Sequence, residues 1–328
     1  MKKVVIAVAI LLIFAGHAMA DPVILKYANF EPPQSFAMKK IWDPWVAKMN
    51  KEGQGLFKID VFLTLNKNPV KQLDILRDRV ADIAFILPSY TPGTFVDDSV
   101  VEVPFVGGSA MDASLAIYRI WQKGMLRNYD QVVPLMVAAG QQYAIHSIYE
   151  IKQPQDLNGK KMRSTGKMQH LMAQALGAAP VGMPVTNIAE SMSRGLIQAT
   201  TNEWNAVRTF KIGDIARYHA MIPMGTVSFL LAMNTDTFNS LPKKAQDIFI
   251  RNREYTVRLW AEEMDKSLDV YYQDILKDPS HHVFVPTAAQ LEEWKKVLEP
   301  AVQEWMKDDP GKQYLLQAYK EEVSKARR

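Results

Sequence analysis

The side chains that could do chemistry in this sequence are few and scattered. It contains no cysteine, which removes disulfides, thiolate metal sites and cysteine nucleophiles together. It has no G-x-x-x-x-G-K-[ST] loop, and Gly53-Gln54-Gly55 lacks the third glycine of a dinucleotide fingerprint and precedes a strand-like stretch. Neither G-x-S-x-G nor H-E-x-x-H occurs. His281-His282 is an adjacent pair in an irregular stretch, where neighbours point to opposite sides, so no metal site is expected there. Asp97-Asp98 reads as a solvated turn rather than a cation site. Arg163 ends the run Gly159-Lys160-Lys161-Met162-Arg163 and, taken alone, reads as a solvated strand-edge arginine. Catalysis needs a positioned acid, base or nucleophile; none is visible, and binding is the more economical chemistry.

The elements that must position these residues alternate. Val23–Ala28 reads as a strand, Ser35–Met49 as a helix with Ser35 at its N-cap, and Phe57–Phe62 as a second strand. Val70–Arg79 is helical and Ala81–Ile86 a third strand. This β-α-β-α-β order predicts a mostly parallel sheet covered by helices. A second unit is expected to begin near Val132 and again alternates: strands at Gln142–Ile148, Met162–Ser164, Val181–Met183 and Gly195–Thr200, with helices at Lys167–Leu176 and Asn187–Arg194. Val227–Met233 is the most apolar run of the mature chain and reads as a buried strand. Lys243–Leu276 has a long helical pattern, and Ala288–Arg328 two amphipathic helices broken at Pro310-Gly311. No repeat and no Gly/Ser linker interrupts the chain.

At the N-terminus Lys2-Lys3, the apolar run Val4–Ala15 and Ala18-Met19-Ala20 have the order of a secretory signal peptide, with Asp21 as the expected mature start. The apolar run is too short to span a bilayer. Removing two lysines leaves 37 basic residues of 39 against 35 acidic ones, a near-neutral balance that argues against a nucleic-acid surface. The 328 residues, 48% hydrophobic and 23% charged, have ordinary globular composition, long enough for two domains.

Several motifs fall in a telling order. They are Asp156-Leu157-Asn158-Gly159-Lys160-Lys161-Met162-Arg163, then Gly177-Ala178-Ala179-Pro180-Val181-Gly182-Met183, then Gly195-Leu196-Ile197 and Asn202. This block resembles the solute-binding proteins of tripartite ATP-independent periplasmic (TRAP) transporters, whose usual forms are D-L-K-G-K-K-I-R-V, G-A-x-P-x-x-M and A-L-Q-x-G-x-V-D-G-x-E-N. Val70–Leu76, Ala81–Phe85 and Leu241-Pro242-Lys243-Lys244-Ala245-Gln246 extend the resemblance over nearly the whole mature chain.

The resemblance implies an α/β, two-lobed periplasmic-binding-protein-like fold with a ligand cleft between lobes and a long lobe-spanning helix. It implies lobes made from discontinuous segments: residues 1–20 as signal peptide, 21–145 with about 230–265 as lobe I, and 146–229 with about 266–328 as lobe II and C-terminal helices. Arg163 falls on the arginine that binds a substrate carboxylate, for which a planar guanidinium is suited. Asn202 falls on the asparagine that assists it.

The departures from the family pattern bear on substrate. Tyr143 stands where sialic-acid-binding members have a second arginine, Phe30 where they have a small polar residue, and Leu87 where they have an acid. Met183, Val185 and Trp204 join this set. One cationic anchor among such side chains suits an aromatic or apolar monocarboxylate and suits a dicarboxylate badly, because unpaired buried polar groups are costly.

The expectation is therefore a monomeric periplasmic receptor, without cofactor or metal, that delivers an organic acid to membrane permease subunits. An exported hydrolase or lyase on the same scaffold, or a ligand-sensing module, would share the cleft. Residues 62–68 lack the family's glycine- or serine-rich loop.

Overall fold

The computed structural model describes residues 21–63, 68–307 and 309–327. The signal-peptide reading and most of the 62–68 loop fall outside the described residues. Eleven strands form two mixed sheets. The first has the order β2-β1-β3-β10-β4, from β1 (Val23–Ala28), β2 (Phe57–Phe62), β3 (Ile83–Ile86), β4 (Val133–Ala139) and β10 (Ser228–Met233). The second has the order β11-β9-β5-β8-β6-β7. It comprises β5 (Ala144–Ser147), β6 (Lys161–Ser164), β7 (Ala179–Gly182), β8 (Ala199–Asn202), β9 (Tyr218–Ala220) and β11 (His282–Phe284).

The expectation of mostly parallel sheets needs correction. β1 is parallel to β2 and β3, but β10 runs antiparallel to both β3 and β4. The reason is connectivity, since β10 enters the first sheet from the second rather than through a helical crossover. All six of its residues are buried, as its unbroken apolar run requires for a strand covered on both faces. Residues from Val132 onward do not open a new unit, because β4 is the partner of β10.

The two sheets are joined at neighbouring crossings. Residues 140–143 lead from β4 to β5, and residues 221–227 lead from β9 to β10. The crossings bond to each other: Tyr143 N–H donates to Gly225 O (2.7 Å), Met224 N–H to Tyr143 O (3.1 Å) and Gly140 N–H to Val227 O (3.0 Å). Gly225 has φ +72°, and a Cβ there would lie 2.2 Å from the Glu102 carbonyl oxygen, so no other residue fits.

A third connection is the helix Arg253–Lys277, about 37 Å long at 1.5 Å per residue. Its first half packs on the first sheet, where Trp260 Nε1–H donates to Ala139 O (2.9 Å). Its second half places Leu268, Tyr271, Tyr272 and Ile275 against a small second core around Trp204, Val185 and Ile188. The long helical pattern from Lys243 is therefore two helices, Lys243–Arg251 and Arg253–Lys277, separated at Asn252. Ser35 caps as expected: its Oγ accepts from Met38 N–H (3.1 Å).

Asp97 and Asp98 are not a solvated turn. Both are buried. Asp97 accepts from the backbone N–H and guanidinium of Arg127, and Asp98 from Tyr129 Oη–H (2.7 Å).

Candidate ligand-binding site

Arg163 lies in β6 with 1% of its surface exposed, so it is not the solvated edge residue that its lysine neighbours suggest. β7, the strand after Pro180 and parallel to β6, brings the following chain alongside it. Arg163 Nε–H donates to Met183 O (3.1 Å) and Nη2–H to Tyr90 Oη (3.0 Å). Tyr90 also accepts from Val185 N–H (2.9 Å). Nη1 has no hydrogen-bond partner. Tyr90 ends the one-turn helix Pro88–Tyr90 that follows β3, so its hydroxyl ties the first sheet's side of the cleft to the second. With both lone pairs of that oxygen engaged, its own proton is left to donate.

Arg163 also lines a narrow slot of about 20 Å³, room for roughly one water. Phe30, Leu87, Tyr143, Val185 and Asn202 all line it, together with Arg163. Six of the eight residues singled out from sequence thus meet in one place, drawn from the stretches just after β1 and β3, the 140–143 crossing, β6, the stretch after β7, and β8. Phe30 stacks on Phe85 (5.5 Å between centroids, 11°), and Phe85 on Phe229 (5.5 Å, 4°), giving the slot a flat aromatic wall. Asn202 Oδ1 accepts from Thr200 Oγ1–H (2.7 Å), which leaves the amide N–H groups to donate. Burial among acids pushes the Tyr143 phenol well up, so it stays a neutral donor.

Two residues are placed differently. Met183 contributes its backbone carbonyl to Arg163 while lining a separate, larger groove. Trp204 does not line the slot. It is buried in the second core against His146 (4.9 Å) and Tyr272 (5.4 Å). Trp204 is the first residue of the helix Trp204–Thr209, and the cap position before it, Glu203, takes the place in the slot instead.

Glu203 and Glu31 are the residues that sequence reasoning missed, with Tyr90. Both acids line the slot, both are buried, and each has an Oε2 without a partner. Burial raises Glu31 to about 7, against a hydrogen bond with Ser35 that lowers it. Burial, with Glu31 nearby, raises Glu203 to about 8, while Arg163 pulls it down. Their one sequence signal is position. Each follows the C-terminal end of a strand, β1 or β8, where ligands of open α/β sheets sit.

Tyr90 also lines a separate groove of about 830 Å³, between residues 88–102, residues 164–184 and the C-terminal helices. Glu102, raised by burial to about 8, faces it. Three histidines also converge. His146 Nδ1 lies 2.8 Å from His219 Nδ1, and His219 Nε2 lies 2.8 Å from His281 Nδ1. Ring nitrogens at that distance share protons, and among the described residues no group of histidine and acid side chains is arranged to hold a metal ion.

Two α/β lobes, a slot between them, and a buried arginine with an unsatisfied nitrogen define a ligand-capturing receptor rather than an enzyme. The chain belongs to the bacterial extracellular solute-binding proteins, family 7 (DctP), whose profile matches residues 27–309. The family is periplasmic, binds small carboxylates and works with membrane permease components.

Among solved structures, a TRAP solute-binding protein from Rhodoferax ferrireducens, in complex with copurified benzoate, is 26% identical. Its TM-score is 0.87, with 93% of this chain and 98% of that one covered. A marine metagenome TRAP solute-binding protein specific for aromatic acids, in complex with 3-hydroxybenzoate, is 26% identical, TM-score 0.89, covering 94% and 100%. Among curated relatives, an outer membrane transporter protein (TsaT) of Comamonas testosteroni is 24% identical over 293 residues, 84% of this chain and 83% of the relative.

Proposed function

We propose that this receptor captures an aromatic or apolar monocarboxylate, anchored as an ion pair on Arg163 and delivered to a membrane permease. The observation that carries the reading is Arg163 Nη1, a buried guanidinium nitrogen with no partner, in a slot walled by Phe30 and Phe229. A buried cation without a counter-charge is costly, and a carboxylate supplies one in bidentate geometry. Tyr90 Oη–H and the Asn202 amide assist it. Tyr143 assists by hydrogen bonding, and Leu87 and Val185 shape the body of the ligand.

The 26%-identical neighbours that carry benzoate and 3-hydroxybenzoate support an aromatic acid. A C4-dicarboxylate is disfavoured: among the described residues Arg163 is the one cation lining the slot, and Glu31 and Glu203 line it too. A slot of this size must widen to admit a ring, which hinge opening at the paired 140–143 and 221–227 crossings provides. We read the receptor as a monomer, with residues 1–20 as a signal peptide cleaved on export.

The test is a thermal-shift screen of residues 21–328 against aromatic monocarboxylates, branched 2-oxo acids, C4-dicarboxylates and sialic acid. A ligand at 100 times its Kd stabilises by about 2.7 kcal/mol, several degrees in midpoint. Shifts with aromatic or apolar monocarboxylates alone are expected. A shift with dicarboxylates alone, or with none of the acids, overturns the proposal.

A further inference from the structure

We propose that the ligand carries an O–H or N–H donor away from its carboxylate, and that Glu203, with Glu31 beside it, receives that donor. This deepens the reading above and rests on it.

The geometry supporting it is the polar end of the slot. Glu203 and Glu31 are 4% and 6% exposed, line the same slot as Arg163, and each keeps one carboxyl oxygen without a partner. Glu31 also hydrogen-bonds Ser35, which leaves its Oε2 free of that role. A buried acceptor that nothing satisfies costs stability, and a structure that keeps two of them in a ligand slot gains something when it is filled.

A third unpartnered acceptor stands close by. The space in front of Gly140, where a Cβ would sit 2.8 Å from Glu203 Oε2 and 3.1 Å from Thr226 Oγ1, is bordered by a second orphan oxygen, that of Thr226. Phe229 Cε2, from the aromatic wall, is 3.0 Å from the same point. The slot is thus lined by a cation, a flat apolar wall and two carboxyl groups with an unpartnered oxygen each.

A plain aromatic acid would satisfy Arg163 and leave the acceptors empty. A hydroxyl donates to Glu203 whether or not that group is protonated, since one carboxyl oxygen always accepts. An ammonium would pair with ionised Glu203. Both sources share the donor chemistry, and separate probes distinguish them.

The experiment is titration calorimetry of the mature chain with benzoate, 3- and 4-hydroxybenzoate and 3-(aminomethyl)benzoate, repeated on Glu203→Met and Glu31→Met. In the wild type, one hydroxylated or aminomethyl acid is expected to bind at least tenfold tighter than benzoate. In Glu203→Met, which removes both carboxyl oxygens, that ratio should fall below threefold. A hydroxyl gain without an aminomethyl gain assigns the donor as O–H, and the reverse assigns it as ammonium.

The inference is overturned if benzoate binds as tightly as every substituted acid, or if the ratio survives in both methionine variants. If Glu203→Met does not fold, as judged by its circular dichroism, the wild-type ratios and Glu31→Met still decide. If no acid binds the wild type, the aromatic-acid reading beneath has failed, which is a different result from benzoate binding without preference.

Discussion

Replacing Arg163 by methionine removes the proposed anchor while keeping the volume of its side chain. In the wild type the guanidinium commits Nε–H to Met183 O and one Nη2–H to Tyr90 Oη, which leaves Nη1 and the second Nη2 hydrogen for a ligand. Two charge-assisted bonds at about 1.5–3 kcal/mol each set the scale. The independent range for truncating one partner of a buried charged pair, about 2–5 kcal/mol, agrees with it. At about 1.4 kcal/mol per tenfold, Arg163→Met should weaken binding by roughly 30- to 3,000-fold.

The folding cost is smaller. The variant loses the bonds to Met183 and Tyr90 but also removes a buried charge whose Nη1 is unsatisfied, so about 1–2 kcal/mol is expected. There is a second signature. Arg163 lowers the pKa of both Glu203 and Glu102, so its loss should move their titration further up. Calorimetry with benzoate, beside a thermal midpoint, reads both effects. A Kd within threefold of the wild type, in a protein that melts normally, would refute Arg163 as the anchor.

Tyr90→Phe leaves the Val185 N–H and Arg163 Nη2–H without their acceptor, which should cost about 1–3 kcal/mol in urea titration and weaken acid binding about tenfold. Unchanged stability and Kd together would show that the hydroxyl ties nothing. Stability should also fall as pH rises from 6.5 to 8. Glu31 and Asp98 are raised to about 7, Glu102 and Glu203 to about 8, all above their unfolded values near 4. The native state therefore holds protons that the unfolded chain has released, and each group contributes up to about 1.4 kcal/mol per pH unit below its folded pKa. The histidines act at the other end. His146 is lowered to about 4 by burial, so its contribution is lost as pH falls below 6.5 and does not offset the loss above it. A midpoint that is level or rising over pH 6.5–8, or a Glu203→Gln variant as steep as the wild type, would contradict this.

Sequence legibility followed what depends on neighbours in the chain. Ser35, Val227–Met233 and the break at Pro310-Gly311 were readable because capping, apolar runs and breakers are local. The direction of β10 was not, because it depends on the chain returning from the other sheet. The site divides the same way. Phe30, Leu87, Arg163 and Asn202 could be placed by resemblance, motif by motif, and the structure brings them to one slot.

Burial of charge is what one sequence hides best. Asp97-Asp98 looks like a solvated turn, yet its partners Arg127 and Tyr129 lie some thirty residues away and make it a buried network. His146, His219 and His281 come from three separate stretches and meet at hydrogen-bond distance. Trp204 and Glu203 show the sharpest case. At the start of a helix, adjacent residues face different ways, and a one-residue error exchanges a core tryptophan for a slot carboxyl. That exchange alters the chemistry inferred. With Trp204 in the slot the site is apolar around one cation and suits a plain hydrocarbon acid. With Glu203 there it also holds an acceptor that a plain acid leaves empty, and the slot selects for what the ligand carries beyond its carboxylate.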